Sequence, residues 1–140
     1  MQDRPTTVEL LEAVREFLEG HVVPRLTERG VRYRTLIALN VLRIVEREVP
    51  GREARLRAEL AALADLLARP REAPPADAAR LEARVQEANQ ELCERIRTGA
   101  ADGGPWRARV LAHVGAMVEE TLGINDPQRL ATFTAGRSRP

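Results

Sequence analysis

The sequence predicts an all-α protein, a single-domain bundle of about five helices packed mostly antiparallel. Three observations predict it. Apolar residues recur every three or four positions in five separate stretches, the period of an amphipathic helix. No stretch shows the strict apolar–polar alternation of a half-buried strand. The strongest turn signals, Pro24, Gly30, Pro50-Gly51, the proline-rich run 69–76 and the glycine-rich run 98–104, fall between those stretches. The expected domain covers residues 6–130, with 1–5 and 131–140 as flexible tails.

The first helix opens on a capping box. Thr6 accepts an early amide, and Glu9 reaches back to the cap. Leu10, Leu11, Val14, Phe17 and Leu18 share its apolar face, with His21 added if the helix passes Gly20. Pro24 ends or kinks it, because proline lacks an amide donor and clashes with the preceding turn. Residues 25–30 read as a link broken at Gly30. The second helix, Val31 to Val49, is the most apolar of the five. Tyr33, Ile37, Val41, Ile44 and Val45 share one face, Leu36 flanks it, and Leu39 and Leu42 lie behind. Such a helix is expected at the centre of a bundle, enclosed by the others. Asn40 is the polar residue inside its apolar arc.

The third helix, about Arg52 to Ala68, carries the stripe Leu56, Leu60, Leu63 and Leu67. The 4-3-4 spacing fits antiparallel packing on the second helix or, more sharply, a homodimer seam. Residues 69–76 form a surface loop of polyproline character. Asp77 caps the fourth helix, which presents Leu81, Val85, Ala88, Leu92 and Ile96, with Asn89 and Cys93 at the margin. Pro105 suits the first turn of the fifth helix, which carries Trp106, Val110, Val114, Met117 and Val118 and is expected to end at Gly123. Residues 124–127 read as a turn.

Composition bounds the function. The chain has 140 residues, enough to bury roughly two-thirds of its unfolded surface without a metal or disulfide. All 22 basic residues are arginine, and the net charge is +1 with the two signs interspersed. That argues against nucleic-acid or membrane-surface binding, which needs an accumulated basic field. The single cysteine, Cys93, cannot form a disulfide within the chain. No targeting pattern or membrane-length apolar run is present, so a cytoplasmic protein is expected.

The chemistry-bearing residues are sparse. Cys93 lies mid-helix beside Leu92 and Ile96 and reads as a small, partly buried core residue rather than a nucleophile. His21 and His113 lack metal-ligand spacing and read as packing residues. Carboxylates alternate with arginines at helical spacing, as on solvated faces. No catalytic residue, cofactor or metal site is assigned. Two groups are carried forward as candidates. Asn40, Asn89 and His113 form either a set of satisfied structural polar groups or the polar anchor of a ligand cleft. Arg25, Arg29, Arg32 and Arg34 form a candidate anion patch, since clustered guanidinium groups hold phosphate or carboxylate through paired donors.

Several segments carry a family resemblance: Asp3 to Thr6 with Leu10 to Leu18, Ala38 to Glu48, Asn89 to Arg97 with Gly99, and Leu111 to His113 on to Leu130. Over about residues 3–130 they resemble a small bacterial family of unknown function. Its members are commonly encoded beside an aminoglycoside-phosphotransferase-like kinase and acyl-CoA dehydrogenases. Residues 125–130, NDPQRL, depart from the family's ending, where Asn followed directly by Pro is expected. The resemblance implies a non-catalytic accessory or interaction partner of such a kinase. The alternatives are a small-ligand-binding bundle with its cleft near Asn40, Asn89 and His113, and a stand-alone enzyme that brings His21, His113 and Glu119 together. A homodimer is compatible with all three.

Overall fold

The computed structural model describes residues 4–137. All regular structure in that span is helical: six α-helices, α1 (Thr7–Phe17), α2 (Arg29–Glu48), α3 (Arg52–Leu67), α4 (Ala78–Arg97), α5 (Gly104–Asn125) and α6 (Pro127–Arg137), with a short π turn and a 3₁₀ turn between α1 and α2. The chain divides into two compact units, residues 1–51 and 52–140.

In the first unit, α1 and α2 form an antiparallel hairpin. The expected capping box is present: Thr6 Oγ1 accepts from the Glu9 amide, and the Glu9 carboxylate accepts from the Thr6 amide at 2.6 Å. Arg15 pairs with Glu46 at 2.9 Å, and Glu19 pairs with Arg43, so α1 rises as α2 descends. Pro24 acts as expected, and the backbone shows how. α1 widens into a π-helical turn at Leu18–Val22, then tightens into a 3₁₀ turn at Val23–Arg25 that contains Pro24. The wider turn gives the ring room and lets the Val23 amide reach back to the Leu18 carbonyl. Arg25 donates to the His21 carbonyl within this distorted stretch. The helical course passes Gly20, and His21 lies beside Phe17 of the expected apolar face, stacked on it with ring centroids 5.5 Å apart.

Three expectations for this unit are corrected. Gly30 is no break, since α2 starts at Arg29 and carries Gly30 in its first turn, where helix propensity weighs least. The half-buried face of α1 is Val8, Leu11, Arg15 and Leu18, whereas Leu10, Val14 and Phe17 stand exposed. And α2 is not an enclosed strut. Leu39, placed behind the apolar face by the sequence, is its buried residue, while Tyr33 is 67% exposed and Leu36, Ile37 and Val41 are exposed with it. Periodicity located the apolar stripe but not the face that packing covers.

The second unit is built on α3, α4 and α5, with a core of Leu63, Leu66, Leu67, Val85, Ala88, Leu92 and Val110. The leucine stripe of α3 therefore packs within the chain, on α4 and α5. Leu63 and Leu67 are fully buried, and Leu56 and Leu60 lie against the core, so the stripe is no free dimer seam. α5 runs opposite to α3: Leu66 meets Trp106, Asp65 meets Arg109, and Arg55 meets Glu120. α3 and α4, however, are parallel. Arg52 pairs with Glu82 at 2.8 Å, and Glu59 with Asn89 at 2.7 Å, so contacts advance in step along both helices. The proline-rich segment makes this connection by doubling back along α3. Arg71 reaches Asp65, and the Pro75 carbonyl accepts from Arg57 at 3.3 Å.

The C-terminal turn of α3 is closed by several donors. Ala68 adopts φ 55°, and the Arg69 amide reaches the Ala64 carbonyl. The Leu66 carbonyl, whose i+4 residue Pro70 has no amide to offer, accepts from Trp106 Nε1 at 2.9 Å. At the far end, α5 does not stop at Gly123 but continues to Asn125. Leu130 of α6 packs beside Gly123, where a Cβ would meet its Cδ2 at 3.5 Å. α6 also occupies most of the stretch expected as a flexible tail. Asp126 Oδ1 accepts from the Arg129 amide at 3.0 Å and Pro127 stands first in the helix, a start signal residing in the sequence itself. Residues 1–3 and 138–140 of the expected tails lie outside the described residues.

Candidate functional site

α4 and α5 frame an apolar groove of about 420 Å³. α4 contributes Asn89, Leu92, Cys93 and Ile96, at offsets of three, four and seven that share one helical face. α5 contributes His113, Val114, Met117, Val118, Thr121 and Leu122, again one face. Glu59 of α3 completes the lining. Ile96, Val114 and Val118 are exposed along it, while Leu92 is buried in the core beneath. The volume falls in the range of small-molecule sites, which are concave and mostly apolar with a few placed polar groups.

The polar groups are specific. Asn89 Nδ2 donates to Glu59 Oε1 at 2.7 Å, and both residues are half-buried. This contact fixes the Glu59 carboxylate in the groove and gives the Asn89 Nδ2 a partner. His113 is half-buried, and Thr121 exposed, on the α5 side. Cys93 is a free, exposed thiol on the α4 wall, not the core residue the sequence suggested.

The structure thus brings together two of the three predicted cleft residues, Asn89 and His113. Asn40 belongs to the first unit and stands exposed on α2, so the expected buried structural role does not apply to it. Glu59 was missed. Its signal was faint: a carboxylate at the edge of the leucine stripe, three residues after Leu56 and four before Leu63. Arg25, Arg29, Arg32 and Arg34 are all exposed, with Arg25 committed to the His21 carbonyl.

A second cavity, about 230 Å³, lies under the proline strap against Leu60, Ala61 and Ala64. It is rich in arginine, but its charge is already neutralised. Arg57 pairs with Glu53, Arg69 with Glu91, Arg71 with Asp65 and Arg84 with Glu72. Burial pushes the Glu91 carboxyl up, and hydrogen bonds from Arg95 and Arg69 outweigh it, leaving the group below its ordinary range. The hydrogen bonds from Arg71 hold Asp65 below the carboxylate range against a smaller effect of burial. Both shifts belong to structural ion pairs. Among the described residues no group of three His, Cys, Asp or Glu side chains is placed to hold a metal ion. No described helix is long and apolar enough to cross a membrane.

Fold and groove together define a small all-α protein with an apolar cleft between two helices. Residues 24–129 match the family described as Domain of unknown function (DUF6285), and the chain belongs to that family. The match leaves out α1 and takes in the whole groove. No curated protein and no solved structure matches the chain.

Proposed function

We propose that the protein is a non-catalytic binding protein whose site is the α4–α5 groove, and that the groove takes a small, largely apolar molecule. One observation carries this reading: an open apolar cleft of about 420 Å³ with a fixed carboxylate and a few polar groups, on the walls of which Ile96, Val114 and Val118 stand exposed. A fold maintained for packing alone gains nothing from leaving branched aliphatic side chains in water along a concave surface. Binding of Nile red, an uncharged apolar dye whose emission rises out of water, tests the reading. The protein is expected to bind it saturably, and Val114→Trp, which fills the groove from an exposed position, is expected to abolish that binding. No binding, or binding that survives Val114→Trp, overturns the proposal.

A second reading is favoured by the hairpin of α1 and α2. Leu10, Val14 and Phe17 form an exposed stripe on α1, and Tyr33, Ile37 and Val41 form another on α2. Exposed apolar stripes of this kind suit docking to a protein partner. The partner that the family resemblance supplies is an aminoglycoside-phosphotransferase-like kinase, which this chain would serve as an accessory protein. Co-purification with a kinase encoded beside it, lost on Phe17→Asp, supports the reading. Absence of a complex with that kinase counts against it.

A further inference from the structure

We propose that the groove selects an apolar molecule bearing a protonated amine or similar compact cation, with Glu59 as the charged anchor. The inference rests on the groove being the binding site and adds the chemistry of the ligand's head.

The argument is one of charge. The chain carries 22 arginines and 21 acidic residues, and many of its carboxylates are taken up in arginine pairs. Glu59 is not. Its one described contact is the hydrogen bond from Asn89 to Oε1, which leaves Oε2 without a partner among the described residues. Glu59 is also the only acidic or basic residue of the lining other than His113, and no arginine lines the groove. A half-buried carboxylate facing an apolar cleft is costly when unpaired and gains most from a cation brought there with its own apolar body. The neutral Asn89 amide orients the carboxylate without cancelling its charge. The same charge disfavours an anionic head, so fatty acids and phosphorylated acyl groups are the wrong class. A carboxylate facing a hydrophobic chain-binding surface instead fits an alkyl or aryl amine.

The test compares octylamine, octanol and octanoate as competitors of bound Nile red at pH 8. The three share a chain and differ in head charge. Octylamine is expected to displace the dye at a concentration about tenfold lower than octanol, a difference worth about 1.4 kcal/mol. Octanoate is expected to be the weakest. In Glu59→Gln, which keeps the shape and an oxygen for Asn89, octylamine and octanol are expected to converge to within about twofold, the scale expected when no ion pair remains. Equal displacement by octylamine and octanol in the wild-type protein, or an octylamine preference that persists in Glu59→Gln, overturns the charge selection. Both results leave the groove itself standing as a site, because Nile red is bound in either case. Failure of Nile red to bind at all overturns both proposals together.

Discussion

Trp106→Phe isolates one contact that closes the end of a core helix. Leu66 lies in the last turn of α3, where carbonyls lack helical amides. Its i+4 residue is Pro70, which has no N–H, and the Arg69 amide is spent on Ala64. The Trp106 indole, at 2.9 Å, supplies the missing donor. Phenylalanine keeps most of the ring against the core and removes the donor. An unsatisfied, partly buried carbonyl costs about 1–2 kcal/mol, and the lost portion of the indole adds roughly 0.5 kcal/mol, so a destabilisation of about 2 kcal/mol is expected. For a cooperative unit of this size that corresponds to a fall in Tm of roughly 10 °C. The neighbouring bond, from Arg109 to the Asp65 carbonyl, is the internal control. Asp65 also accepts from the Ala68 amide, and Arg109 is exposed, so Arg109→Leu is expected to cost less than about 0.5 kcal/mol. Urea denaturation followed by far-UV circular dichroism measures both, since Trp106 is the sole tryptophan and its loss removes the fluorescence signal. Equal, small losses in the two variants would refute the assignment of Trp106 as the donor closing α3.

Three other outcomes are expected. Leu63→Ala removes a fully buried side chain from the centre of the core and should cost about 3 kcal/mol in the same assay; a loss under about 1 kcal/mol would mean the core lies elsewhere. Glu91 is held below its ordinary value of 4.5, so its contribution to stability is complete above that pH and is lost as pH falls through the lower native value; Glu91→Gln should therefore flatten the acid limb of a stability–pH profile, and an unchanged limb would contradict the Arg69–Glu91–Arg95 pairing. Cys93, free and exposed on the groove wall, should react with a thiol reagent in the folded protein at one equivalent, and saturating octylamine should slow that reaction; labelling that needs denaturant would place the thiol inside the fold.

Much of this architecture was legible in the residues, and the illegible part has a consistent cause. The period of apolar residues gives the phase of a helix. It read α4 well, where Leu81, Val85, Ala88 and Leu92 are buried as expected. Phase says nothing of what covers a face. In α1 and α2 the expected faces are largely open, and Leu39 takes the buried place. The candidate cleft was only partly legible for the same reason. Asn89 and His113 sit at the margins of two helices that face one another across the groove, whereas Asn40 interrupts a stripe that remains in solvent. Glu59 escaped because a glutamate beside arginines looks like any solvated helix position, and only tertiary placement shows that no arginine reaches it. α6 was readable: Asp126-Pro127 is a cap with a first-turn proline, a signal masked by the small and polar residues of 131–137.

The parallel course of α3 and α4 sets an unequal tolerance to chain editing. Ten residues separate Leu67 from Ala78, while α3 has 16. Fully extended, ten residues reach about 33 Å, against about 24 Å for the helix they must travel back along. The slack is roughly 9 Å, or about three residues. Cutting more than that between Arg69 and Asp77 would force α4 to turn over and pack head-to-tail, taking Asn89 away from Glu59 and unmaking the groove. Adding residues at the same place asks only for a little more loop entropy, about 0.6 kcal/mol per doubling of length. The connection is a tether with a minimum and no maximum, and the position of Glu59 in the cleft hangs on that minimum.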